Sequence, residues 1–328
     1  VILGLPGETY ETQISTLKTL LAAKLDYVQV YTCMLINGSE LNTPEQRKKW
    51  NFKTKFRILP RDFTTLKNGK KVIETEEIIV GSDILTFEEY IELRTLSFSI
   101  FVTNIGIIYS SLLKFLREND IEVFELFFQM MKQIDSAPSI IQKIFQSVKT
   151  DMVDELWDSP EDIQTHYQEP KEYEKLLSGE AARNVMQYHN ALVRHSGMDE
   201  WTEYAGNIVF GLIKNKKALN YEIENQLNNI INYCTGLGHN TLGDNRMETN
   251  LEFEFDYDIE SWIMDKNNKS LKHFKFDKKR TFSFQFDVND SKIMQDELDR
   301  QNTNIGRSQA LKRLPMQIQW RHPKKINT

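Results

Sequence analysis

Cysteine is nearly absent: Cys33 and Cys234 are the only two in 328 residues. Unpaired and far apart, they suit a reducing compartment, so a cytoplasmic location is expected. A lone Cys33 just after a strand invites a role as nucleophile or radical-carrying thiol, but a small buried residue is the simpler reading. Histidine is also sparse. His189 and His195 share no helix face at metal-ligand spacing, and no metal is assigned to them. No apolar run reaches the roughly 18–20 residues a membrane span needs. The most apolar region, Leu93 to Leu116, is broken by Arg94, Ser97, Thr103, Asn104, Ser110 and Ser111 and reads as buried helices. Positive charge is not in surplus either, since 41 Lys and Arg against 47 Asp and Glu leave −6. That balance argues against a nucleic-acid backbone as partner. The expectation is therefore no membrane and no nucleic acid.

The opening stretch is the most informative. Val1-Ile2-Leu3 is an apolar run ending in Gly4-Leu5-Pro6-Gly7, followed by Glu8-Thr9, and it reads as a buried strand turning into a helix. The helix carries Ile14, Leu17, Leu20 and Leu21 on one face and ends near Lys24; Tyr27 to Tyr31 supplies the next strand, and Ile36-Asn37-Gly38-Ser39-Glu40-Leu41 a polar loop. The crossover is long enough for parallel strands, which gives a βαβ unit. GLPGET lacks the Lys-Ser/Thr of a phosphate-binding P-loop and does not match the dinucleotide fingerprint GxGxxG.

The order GLPGET, amphipathic helix, YVQVY and NGSEL resembles the fifth and sixth strands of a radical S-adenosylmethionine enzyme, of the group that often carries an upstream cobalamin-binding domain. Asn37 and Ser39 depart mildly from the PGTEL-like loop of that family. The stretches Glu76 to Val80 and Thr86 to Tyr90 add to the likeness, which is strongest over residues 1–100. The resemblance implies an incomplete TIM-like β/α barrel, with the active site at the C-terminal ends of its strands. It implies S-adenosylmethionine and a four-iron cluster as cofactors, and cobalamin as a further one. Cluster binding needs three cysteines spaced CxxxCxxC, which these two cannot supply. The chain is therefore expected to be the C-terminal part of a longer enzyme, inactive alone, with the missing half of its own barrel as one partner. By the resemblance, Ile2, Gly4, Pro6, Gly7, Glu8, Val30 and Tyr31 form one wall of the cofactor site, with Gly4 and Gly7 allowing close backbone approach and Glu8 ordering the loop.

Beyond the barrel piece, the expected class is α/β then mostly α, in four segments. Residues 1–41 carry the barrel strands and 42–85 form a transition with a β-hairpin, signalled as a two-residue turn by Asn68-Gly69. Its basic run, Arg47, Lys48, Lys49, Lys53, Lys55 and Arg57, suggests an anionic small-molecule substrate, although such runs are more often solvated faces. Residues 86–240 read as a helical domain opened by a Thr86/Glu89 capping box, with a helix starting at Ser159-Pro160. Residues 241–328 read as a small antiparallel α+β domain. In it, Leu251 to Tyr257 and Phe282 to Val288 alternate with period two, 290–302 form a helix, and Gln317 to Trp320 a last short strand.

Function is thus expected to be radical chemistry on an unidentified substrate. Two alternatives come from other classes. One is a non-catalytic helical interaction module that captures a partner along the strand edge at Val1–Leu3. The other is a transferase using a nucleotide-sugar, which would need a Gly-rich phosphate loop that the sequence lacks.

Overall fold

The structure is a computed structural model that describes residues 1–326, apart from 26, 105, 217–219, 244–245, 248–250 and 300–303. Its described residues form a mixed α/β protein of helices and small sheets. The helices are α1 Tyr10–Ala22, α2 Pro44–Trp50, α3 Phe87–Thr103, α4 Ser110–Glu118, α5 Val123–Lys132, α6 Ser139–Asp154, α7 Pro160–His166, α8 Pro170–Ser178, α9 Val185–Ser196, α10 Met198–Lys216, α11 Tyr221–Gly238, α12 Ile259–Met264, α13 Val288–Asp299 and α14 Asn304–Arg313. The strands are β1 Ile2–Leu3, β2 Tyr31–Thr32, β3 Lys53–Thr65, β4 Lys71–Gly81, β5 Leu251–Tyr257, β6 Lys275–Gln285 and β7 His322–Lys325. Among the described residues, no helix is long and apolar enough to cross a membrane. Two compact units emerge, and neither is a continuous stretch. Unit 1 holds Val1–Thr19, Gln29–Phe98 and Phe145–Tyr188; unit 2 holds Leu20–Val28, Ser99–Ile144 and His189–Thr328.

In unit 1, β1 and β2 pair in parallel with Ile2 opposite Tyr31 and Leu3 opposite Thr32, so the βαβ connection is present. The strand Tyr27–Tyr31 expected from sequence shifts onward to Tyr31–Thr32, and α1 ends at Ala22 because Lys24 takes a positive φ of 56°. The chain past β2 then bonds β4: Ile79 N donates to Cys33 O at 3.0 Å and Leu35 N to Glu77 O at 2.9 Å. Residues 31–35 therefore lie between a parallel neighbour and an antiparallel one. Leu3, Ile78, Val80, Leu85, Tyr90 and Leu93 bury themselves at this junction, with Tyr10 and Ile14 of α1 packed against them. Thr86 and Glu89 cap α3 reciprocally, Glu89 N to Thr86 Oγ1 at 3.1 Å and Thr86 N to Glu89 Oε2 at 2.8 Å.

The β3–β4 hairpin differs from its expected turn. Leu66 N donates to Lys70 O and Gly69 N to Leu66 O, both at 2.8 Å, and Gly69 has φ +83° while Asn68 stays at negative φ. A two-residue I′ turn needs positive φ at both central residues; here Gly69 alone supplies it, which gives a three-residue loop with a glycine bulge. A second irregularity lies between Ile58 and Phe63, where the register breaks. Pro60 has no N–H for the ladder and Arg61 sits at φ +74°, so the strand kinks there. Ser159 accepts from Asp162 N at 3.1 Å to start α7 after Pro160.

Unit 2 joins helices to the sheet β5-β6-β7. Phe124, Phe127, Met130 and Met131 of α5 are buried, as core packing requires. Phe255 and Phe284 are buried from β5 and β6, and Tyr233 of α11 packs on both rings. Three expectations change. Val288 is exposed and opens α13, because the Asp287 carboxylate accepts from Asn289 N at 2.9 Å and turns the chain out of the strand. The helix expected over 290–302 is α13, its last expected residues lying outside the described ones. The last strand is His322–Lys325 rather than Gln317–Trp320. Gln319 donates through Nε2 to Leu311 O and Leu314 O, both at 3.0 Å, which ties the segment back to the end of α14 and keeps it from extending.

Candidate functional site

Two cavities of unit 1 take up most of the residues that the family resemblance singled out. The first, about 310 Å³, is lined by Val30 and Tyr31 together with Leu3, Arg57, Arg94 and Glu155. The second, about 200 Å³, is lined by Gly4, Gly7 and Glu8 with Trp50, Ile79 and Asp83. Ile2 and Pro6 line neither.

The second cavity is built by the Gly-Pro-Gly turn. Gly4 has φ +92° and Gly7 φ +79°, conformations that disfavour a side chain. A Cβ on Gly4 would meet Ile79 O at 3.3 Å, and one on Gly7 would meet the Trp50 ring at 3.5 Å. The space left by the missing Cβ of Gly4 is thus filled by β4, so its glycine identity is explained by turn and packing. Glu8 folds back and its Oε2 accepts from Gly4 N at 2.6 Å, which closes the loop. Burial raises the Glu8 carboxyl above the ordinary range, and the Gly4 and Leu5 amides oppose that rise. Cys33 is buried. Burial first and the Glu8 charge second push its thiol up, so it holds its proton and is no ready nucleophile.

The first cavity is lined in part by charged side chains. Arg57 of β3 reaches Glu76 of β4 through Nε, Glu155 through Nη1 at 3.4 Å and Thr32 Oγ1 through Nη2 at 3.1 Å. Arg94 of α3, only 4% exposed, donates Nη1 to the same Glu155 oxygen at 2.6 Å. Burial works against the Arg94 charge, but Tyr90 and Glu155 hold the guanidinium above its ordinary value, and it stays cationic. Arg183 bonds Asp151 Oδ2 at 2.6 Å and stacks on Tyr188, its centre 3.9 Å from the ring. The kink at Pro60 brings that residue to the cavity wall, as bulges beside sites often do. Tyr31 is 58% exposed and donates its hydroxyl to Gln29 at 2.8 Å.

Three residues of the basic run are engaged by carboxylates. Arg47 forks onto both oxygens of Glu77, Lys55 pairs with Asp158, and Arg57 is engaged as above. Cluster chemistry finds no support in this chain, since no group of three His, Cys, Asp or Glu could hold a metal among the described residues, and Cys33 and Cys234 sit in different units. The residues present do not fit an iron–sulfur cluster.

Sequence reading missed Arg94, Glu155 and Arg183 as site residues. The signal was available for Arg94, one of two charges with Lys114 inside the most apolar stretch, which has to find a partner when buried. Glu155 and Arg183 lie far from it in sequence and carried no comparable signal. No family model matches the chain, and no curated protein matches it.

Proposed function

We propose that unit 1 supplies one wall of the S-adenosylmethionine site of a radical S-adenosylmethionine enzyme, whose cluster ligands are not among these residues. The observation that carries the reading is the β1–α1–β2 unit, with its strands parallel and its turn closed by Glu8 on Gly4 N. Further support comes from the open outer edge of β1. It pairs with β2 alone among the described residues, and Ile2 is 44% exposed, so the edge is available to another barrel strand. In this reading the cofactor carries the hard chemistry, and the chain's part is to bind and orient. Val30 and Tyr31 present an apolar and an aromatic surface to the adenine, while Gly4, Gly7 and Glu8 fix the turn that places β1.

The test avoids the cluster. 5′-Deoxyadenosine is titrated into the chain and followed by saturation-transfer NMR and calorimetry. Binding is expected to be lowered about tenfold by Tyr31→Ala, in line with the loss of one aromatic stacking contact. Absence of binding at about 1 mM, or binding indifferent to Tyr31→Ala, removes the adenine wall from this cavity. Incubation with iron and sulfide without oxygen is expected to leave the chain colourless.

A further inference from the structure

The charged lining of the first cavity contains more hydrogen-bonding capacity than the chain uses. A guanidinium has five N–H donors. Arg94 spends one on Glu155 and lies against the Tyr90 ring, and its buried Nε has no partner. A buried charged group left in that condition is a place where a ligand or water belongs. The carboxylates are likewise half used. Glu155 Oε1 receives both Arg57 and Arg94, and Glu76 Oε1 receives Arg57, while Oε2 of each accepts no hydrogen bond from the described residues.

The charges also balance. Arg57 and Arg94 are matched by Glu76 and Glu155 in the lining, and Arg183 by Asp151, which lies outside it. A ligand with a single net charge would leave an uncompensated ion in a desolvated site, at substantial cost. A ligand bearing one charge of each sign leaves the balance intact. It uses unspent donors and unspent acceptors together. The lining also includes the apolar side chains of Leu3, Met34, Ile58, Val185 and Met186. The volume, about 310 Å³, is at the small end for ligand pockets.

We propose that this cavity binds a free α-amino acid with an apolar side chain, its carboxylate held by Arg94 and its ammonium by Glu155 and Glu76. The planar fork of Arg94 suits a carboxylate in two-point contact. The apolar lining residues receive the side chain. The inference stands on unit 1 side chains alone, and its test contains no adenosyl compound, so it survives or fails apart from the radical reading.

Leucine, methionine and phenylalanine are titrated singly into the full chain by calorimetry, each beside its deaminated and its decarboxylated analogue. At least one amino acid is expected to bind, and both of its analogues about tenfold or more weakly, the loss of a charge-assisted hydrogen-bonded contact. Arg94→Gln is expected to weaken that amino acid about tenfold, with Arg94→Lys in between because a point charge lacks the planar fork. The wild-type comparison needs no variant to fold. No binding by any of the three at about 10 mM overturns the proposal. So does a deaminated acid that binds as tightly as its parent, which would make the site a plain anion site, and so does an affinity unchanged in a folded Arg94→Gln.

Discussion

Both units bury arginine, and they treat it in opposite ways. In unit 1, Arg57, Arg94 and Arg183 face carboxylates beside a cavity. In unit 2, Arg194 and Arg321 are 3% and 1% exposed and turn to the main chain: Arg321 donates Nε to His239 O at 2.9 Å and Nη2 to Arg246 O at 2.6 Å, and Arg194 donates Nη1 to Gln319 O at 3.4 Å. Burial pulls each of these two guanidiniums down to about 10. A carbonyl offers only a dipole, so desolvation is less fully offset there than by the Glu155 carboxylate that keeps Arg94 up. The difference separates two jobs for one side chain. In unit 2 the fork joins irregular segments that have no ladder of their own. In unit 1 it holds charge ready at a wall with donors to spare.

The comparison can be broken most sharply in unit 2. Arg321→Met leaves the carbonyls of His239 and Arg246 without that donor, and a loss of about 3–4 kcal/mol is expected from unsatisfied buried acceptors. Chemical denaturation measures it, and a loss below about 1 kcal/mol would mean that water replaces the guanidinium. In unit 1, Arg94→Met should cost somewhat less, about 2–3 kcal/mol, because Glu155 keeps Arg57. Adding Glu155→Met should recover part of that loss, since an apolar pair replaces a broken ionic one. Arg321 donates to two backbone carbonyls, which no side-chain substitution can remove. A double variant no more stable than Arg94→Met would erase the distinction.

The smallest effect concerns Glu77. The Arg47 fork, despite opposition from burial, holds its carboxyl below the ordinary glutamate range. Its unfolded form therefore takes up protons more readily, so the pair's contribution is complete above the unfolded value and is lost as pH falls through the folded one. Arg47 is 35% exposed, which screens the pair, and Glu77→Gln should cost about 1 kcal/mol at neutral pH. The gap between wild type and variant should close on acidification below pH ~4. A gap that widens in acid reverses the sign of the argument.

What the sequence made legible was local chemistry. The βαβ connection follows from an apolar run, a turn and a helical period, and the Thr86/Glu89 and Ser159/Asp162 caps follow from spacing alone. The failures lie where a neighbour decides. Asn68-Gly69 spells two turn types until the strands fix their register, and Gln317 to Trp320 alternates suitably for a strand until Gln319 finds the end of α14. The first cavity was half visible. Val30 and Tyr31 were indicated by motif, whereas Glu155 and Arg183 reach Arg57 and Arg94 only through the packing of unit 1. The two compact units draw on separated segments of the chain, a grouping that composition and period do not signal.

The kinked β3 strand also bears on how the molecule behaves in a crowd. At Phe56 its outer edge is occupied by Trp157, with N–H to carbonyl bonds of 2.9 and 2.8 Å in both directions. Four residues on, Pro60 has no donor to offer and the ladder is out of step. A foreign strand meets first an occupied edge and then a misaligned one, so the ribbon is a poor template for stacking of one chain upon the next. β1 has neither guard, and at high concentration or on partial unfolding it is the edge from which such growth would begin.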